Sequence, residues 1–126
     1  KKHRNVSGHF VGHVGGDDFF MCIKCEESSP YYVLSILEKI TKEFNEFTTS
    51  FYTMEEILNK CYVSLDRNGN KTTFPLLGVS AAIIEIPNIA LNITEIELSK
   101  LIADLKKTAK ISSFKYSLST IVPKNE

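Results

Sequence analysis

Val33, Leu37, Ile40, Phe44 and Phe47 recur at spacings of three and four, which predicts an amphipathic helix over residues 30–47. Ser28-Ser29-Pro30 stands before it as an N-cap followed by proline at the first helical position, where the missing N–H has no helical partner to lose. Leu98, Leu101, Ile102, Leu105 and Ala109 trace a second helical face, opened by the capping box Thr94-Glu95-Ile96-Glu97 and running over about residues 94–110. Its acids come first and Lys106, Lys107 and Lys110 come last, the order that complements the helix dipole. Thr53-Met54-Glu55-Glu56 repeats the capping-box pattern and predicts a short helical turn through Leu58.

Elsewhere the pattern changes to strands. His9 to Val14 and Phe19 to Ile23 are β-branched or aromatic runs separated by Gly15-Gly16-Asp17-Asp18, which predicts an antiparallel hairpin with its tip at Gly15–Asp18. Cys61 to Leu65 and Phe74 to Ile86 flank Asp66-Arg67-Asn68-Gly69-Asn70, and an Asn-Gly pair between apolar runs predicts a second hairpin with a long apolar return strand. Tyr116 to Val122 alternates and fits a last strand. The order strand, strand, helix, hairpin, helix, strand predicts an α+β fold with helices packed on a mainly antiparallel sheet. A sheet opening on a bare hairpin lacks the strand that should pair beside it unless another chain fills the gap, which points to a homodimer.

With 126 residues the prior is one domain over 1–126, and 43% hydrophobic with 24% charged residues is a globular composition. Fifteen basic residues balance fifteen acidic ones, so no global field draws the chain to nucleic acid or to an anionic membrane. No apolar run reaches the roughly 20 residues that span a bilayer, and the basic start Lys1-Lys2-His3-Arg4 is not followed by a signal-peptide core. An odd count of three cysteines argues for a reducing, cytoplasmic setting. The sequons at Asn5, Asn70 and Asn92 read as accidents of an Asn- and Thr-rich composition. The chain begins without Met and runs almost at once into the first hairpin, which reads as a piece of a longer protein.

The candidate chemistry lies at the first hairpin tip. Gly15 and Gly16 leave the main chain open to a phosphate, and Asp17 and Asp18 supply hard oxygen ligands suited to Mg²⁺, which favours carboxylates plus substrate phosphates over an all-protein cage. Phosphoryl transfer uses such ions to neutralise developing charge. The competing reading is a glycine turn with two solvated aspartates. Other candidates are weaker. Cys22-Ile23-Lys24-Cys25 has Cys-x-x-Cys spacing, but residues three apart on a strand face opposite ways, so these read as buried or half-buried free thiols. His9 and His13 share a strand face without a third ligand at fitting spacing, and Asp66, Asn68 and Asn70 lack the glycine and distal glutamate of a calcium loop.

The stretch from Phe10 to Phe20, with Gly15-Gly16-Asp17-Asp18 at its centre, resembles the signature hairpin of the GGDEF domain family, the diguanylate cyclases and their degenerate relatives. Asp66-Arg67-Asn68-Gly69 and Phe74-Pro75-Leu76-Leu77-Gly78-Val79-Ser80 resemble that family's second hairpin with its serine-bearing strand. Ala103 to Lys110 resembles its last helix, which closes on an Ala-Lys pair. The resemblance implies a bacterial, cytoplasmic signalling domain with a palm-like, ferredoxin-related fold, whose active members condense two GTP into cyclic di-GMP across a dimer with Mg²⁺. By position, Asp17 and Asp18 become the catalytic and metal-binding carboxylates, Gly15 and Gly16 lie under the nucleotide, and Lys110 reaches the triphosphate.

The chain departs from the family at several points. Asp18 stands where the family has glutamate, Phe114 where it often has arginine, and Val6 and His9 where its product site has Arg-x-x-Asp. The family's first strand, with its metal-binding aspartate, and its first helices have no counterpart in residues 1–126. Catalysis by this polypeptide alone is therefore not expected. Three alternatives stay open: a domain related to active cyclases, a degenerate one that binds GTP, cyclic di-GMP or a partner and regulates an adjoining module, or an unrelated ferredoxin-like interaction domain with an accidental glycine turn.

Overall fold

The structure, a computed structural model, describes residues 8–25, 30–87 and 92–123. The chain divides into two compact units, 1–34 and 35–126. The element order is β1 (His9–Gly15), β2 (Asp18–Ile23), α1 (Pro30–Thr48), α2 (Met54–Asn59), β3 (Cys61–Leu65), β4 (Lys71–Pro75), β5 (Ala81–Glu85), α3 (Glu95–Ile111) and β6 (Tyr116–Thr120). The α+β class holds. Instead of one mainly antiparallel sheet, the strands among the described residues form three two-stranded ladders, of which β1–β2 and β3–β4 are antiparallel and β5–β6 is parallel.

In the first unit β1 and β2 run in register from His9 opposite Ile23 to His13 opposite Phe19, and the register then shifts before Gly15 meets Asp18. Side chains alternate, so His9, Val11 and His13 share one face with Ile23, Met21 and Phe19, while Phe10 and Gly12 share the other with Cys22 and Phe20. Gly12 has a steric reason to be glycine: a Cβ there would overlap the Phe20 ring, 2.8 Å from its Cζ. That ring lies over the partner strand and packs on Phe10 with centroids 5.4 Å apart. Both faces remain open to solvent, with Phe10 57% and Phe19 67% exposed. Cys22 and Cys25 are exposed thiols, contrary to the expectation of burial, because Cys22 sits on an uncovered hairpin face and Cys25 lies past the end of β2. The predicted cap Ser28-Ser29 and the sequon Asn5 lie outside the described residues.

The division between units falls within α1, whose expected stripe is only partly covered. Val33, Leu37 and Phe44 are half-buried, Ile40 is exposed, and Phe47 is exposed but meets Phe51 edge to face at 5.3 Å. The second unit is built around a βαβ crossover. Parallel strands need such a connection, and α3 supplies it, packing on both β5 and β6. Leu98, Leu101 and Leu105 are half-buried and Ala109 is fully buried, as the helical face predicts. Ile102, expected on that face, is 39% exposed, because it lies at the edge of the stripe beside Lys106 rather than over the strands. Ser117 Oγ donates to Leu105 O at 2.6 Å and ties β6 to the helix. Thr94 caps α3 with the full reciprocal box, its Oγ1 accepting from Glu97 N–H while Glu97 returns a carboxylate to Thr94 N–H. Thr94→Ala is expected to destabilise this unit by about 1 kcal/mol, read as a lower urea midpoint at unchanged slope.

The expected long return strand after the Asn-Gly turn does not form. β4 stops at Pro75, and residues 76–80 lead to β5, which pairs with β6 instead. The reason lies in the partner strand: β3 begins at Cys61 directly after the left-handed cap of α2 at Lys60 (φ 56°), so Pro75, opposite Cys61, has no further partner residue to follow. Tyr52 then catches the departing chain, its hydroxyl accepting from Leu77 N–H at 2.9 Å while its ring packs on Tyr62. The last strand likewise ends at Thr120 rather than Val122, although Ile121 N–H still donates to Glu85 O.

The turn between β3 and β4 is held by Asp66, whose Oδ1 accepts from Asn70 N–H at 2.9 Å and Asn68 N–H at 2.8 Å. The Asn70 N–H holds its carboxyl below the ordinary value of 3.8; desolvation, the next largest effect, opposes it, and the Asn68 N–H and the Asn70 side chain add to the lowering. Because the folded pKa is the lower one, the stabilisation is present above 3.8 and is lost as pH falls through the folded value. A carboxyl carbon NMR titration is expected to find Asp66 still ionised where an ordinary aspartate is half protonated.

Candidate functional site

The signature residues lie on a two-residue turn, Gly16-Asp17, between Gly15 at the end of β1 and Asp18 at the start of β2. Gly16 has φ 58° and Asp17 has no positive φ, the signs of a type II′ turn, which requires glycine at its first central position. Gly15 has φ 157° at the register shift, and Val14 is left without a cross-strand partner, as in a bulge. A Cβ at either glycine would meet nothing within 4 Å. Backbone conformation is therefore what demands Gly16, and the same open space leaves the main chain of the tip accessible.

Asp17 is exposed at the apex, and Asp18 is half-buried at the head of β2. His13, an expected strand-surface imidazole, is part of this turn. Its Nε2 lies 3.0 Å from Gly16 O, and its ring stacks on Phe19, its cross-strand partner, with centroids 4.4 Å apart and planes 15° apart. The turn thus gathers Gly15, Gly16, Asp17, Asp18 and His13 in one place. Carboxylates beside open backbone are the donor types that a hard divalent ion takes in a shell shared with phosphate oxygens and water. Among the described residues no three His, Cys, Asp or Glu side chains group as a self-sufficient metal site.

Lys110, the other predicted site residue, lies in the second unit, exposed in the last turn of α3. With Ser99, Ile102, Ala103, Lys106 and Lys107 it lines an open depression of about 340 Å³. Its carbonyl accepts from Lys115 Nζ at 2.8 Å, a contact that closes the helix end. Phe114, at the position where the resemblance expects arginine, is 77% exposed with its ring 6.1 Å from Tyr116. The one residue that sequence reasoning undervalued is His13. Alternation places it on the strand face that also carries Phe19, but no sequence signal reveals its contact with Gly16 O.

Comparisons with protein-family models, with curated proteins and with solved structures found no match. No helix among the described residues is long and apolar enough to cross a membrane.

Proposed function

We propose that this chain is a GGDEF-family signalling domain, related to the diguanylate cyclases, whose Gly15–Asp18 turn receives the phosphates of a guanine nucleotide together with Mg²⁺. The observation that carries the reading is the turn: a II′ glycine corner with open space above both glycines and two consecutive carboxylates at its end. Asp17 is the carboxylate with the freest approach to an ion, and Gly15 and Gly16 offer main chain to phosphate. The palm-like fold, the bacterial cytoplasmic setting, the homodimer and the adjoining signalling modules belong to this same reading. Its support in the second unit is the β5–α3–β6 crossover, which brings the serine-bearing connection and the Ala109-Lys110 helix end into one compact body.

A second reading, a degenerate domain that retains GTP or partner binding and regulates its neighbour, is favoured by Asp18. Its side chain is a methylene shorter than glutamate and starts from a half-buried ladder position opposite Gly15, whereas Mg²⁺ demands oxygens at about 2.0–2.1 Å in near-octahedral order. The experiment is equilibrium binding of a fluorescent GTP analogue with and without Mg²⁺, alongside a product assay. Saturable, Mg²⁺-dependent binding without cyclic di-GMP is the expected result for this polypeptide. No binding at any Mg²⁺ concentration overturns the first reading and the GTP-binding form of the second, and cyclic di-GMP formed by the chain alone overturns the second. In a longer polypeptide carrying the upstream strand, Asp18→Glu raises turnover if reach alone is lacking.

A further inference from the structure

We infer that His13 is a positioning residue for the acidic turn: stacked on Phe19, it donates from Nε2 to Gly16 O and fixes the peptide that carries Asp17. The inference rests on the proposed nucleotide site and adds to it what sets the site's geometry.

A carbonyl oxygen accepts only, so the 3.0 Å contact requires the proton on Nε2. The oxygen it holds belongs to the Gly16–Asp17 peptide, the central peptide of the turn. In a trans peptide C=O and N–H point in opposite directions, so pinning Gly16 O toward the His13 ring directs Asp17 N–H away from it. Types II′ and I′ differ by a flip of this central peptide, and I′ needs positive φ at the second central residue, here Asp17. Aspartate tolerates that conformation better than most residues, so the flip is an accessible alternative rather than a forbidden one.

Two observations oppose the flip. The hydrogen bond from Nε2 would be broken by it, and the imidazole is kept in place by the face of Phe19, 4.4 Å away and nearly parallel. The glycines contribute no side-chain contact of their own to hold the turn, since nothing lies within 4 Å of where a Cβ would stand. His13 is thus the side chain that selects one peptide orientation, and through it the direction in which Asp17 leaves the tip. An ion shared by Asp17 and Asp18 needs that direction fixed before it binds.

The test compares the wild type with His13→Ala and with His13→Gln, whose amide nitrogen stands near the place of Nε2 and can donate to the same carbonyl. Turn geometry is read from the NOE between Gly16 Hα and Asp17 H–N and from the ¹⁵N shifts of the His13 ring; ion binding is read from paramagnetic broadening of Asp17 and Asp18 amides by Mn²⁺. We expect an Nε2–H ring and the II′ NOE in the wild type, retention of NOE and affinity in His13→Gln, and loss of the NOE in His13→Ala with Mn²⁺ binding roughly 3- to 10-fold weaker, the equivalent of one modest hydrogen bond. An Nδ1–H ring, or an unchanged NOE in His13→Ala, overturns the inference. A flipped turn that binds Mn²⁺ as well as the wild type also overturns it while leaving the nucleotide reading intact. A wild type with the II′ NOE but no Mn²⁺ response at the turn even with GTP present overturns the nucleotide reading, and with it the ion-positioning role, while the clasp itself stands.

Discussion

Asp17→Asn is expected to weaken Mg²⁺-dependent GTP binding by roughly 10- to 100-fold, the range that follows from losing a direct charged ligand or charge-assisted contact worth about 1.5–3 kcal/mol. The amide keeps nearly the shape of the carboxylate and can still sit at the second central position of a II′ turn, so the fold of the hairpin has no reason to change. What is removed is the anionic oxygen at the exposed apex, the group with the freest approach to an ion. The same titration without Mg²⁺ is expected to show no difference between the variant and the wild type. A loss that persists without the ion would locate the defect in nucleotide contacts rather than in metal binding.

Ile121→Ala is expected to destabilise the second unit by about 2–5 kcal/mol, the usual cost of emptying a buried Ile site when the surroundings relax only in part. Ile121 and Ala109 are the buried apolar residues among those described, with 8% and 0% of their surface exposed, so this unit has little core to spare. Ile121 also continues the β5–β6 ladder through its N–H bond to Glu85 O, and the alanine variant retains that bond. The whole effect is therefore a packing effect. A guanidinium melt should show a lower midpoint at unchanged slope, and a change below about 0.5 kcal/mol, the size of an ordinary surface substitution, would mean that the site is not part of the cooperative core.

The elements legible in the sequence are those whose causes are local. The capping boxes at Thr53 and Thr94 satisfy their own N–H groups within three residues, and both appear in the structure as read. The first hairpin follows from glycines that must adopt a conformation other residues avoid, and Gly16 does so. The break after Pro75 was not legible because the apolar run continues through it. Period-two counting registers hydrophobicity, not a change of partner, and the limit on β4 comes from Lys60 and Cys61, distant in sequence but opposite in space. The parallel pairing of β5 with β6 was missed for the same reason: residues 81–85 and 116–120 meet only through the helix between them. Of the candidate site, Gly15, Gly16, Asp17 and Asp18 were legible because they are contiguous. The part played by His13 was not, since alternation places it on a strand face but does not reveal that the turn folds a carbonyl back to its ring.

The account stands on the Gly15–Asp18 turn as the place where a magnesium ion and a nucleotide meet, and amide chemical-shift mapping of the ¹⁵N-labelled chain with GTP tests that most directly. With Mg²⁺ present, the account predicts shift changes centred on residues 15–19 that saturate with GTP and vanish when the ion is chelated. Shifts at the turn that ignore Mg²⁺, or a saturating response confined to other residues while 15–19 stay unmoved, would contradict it.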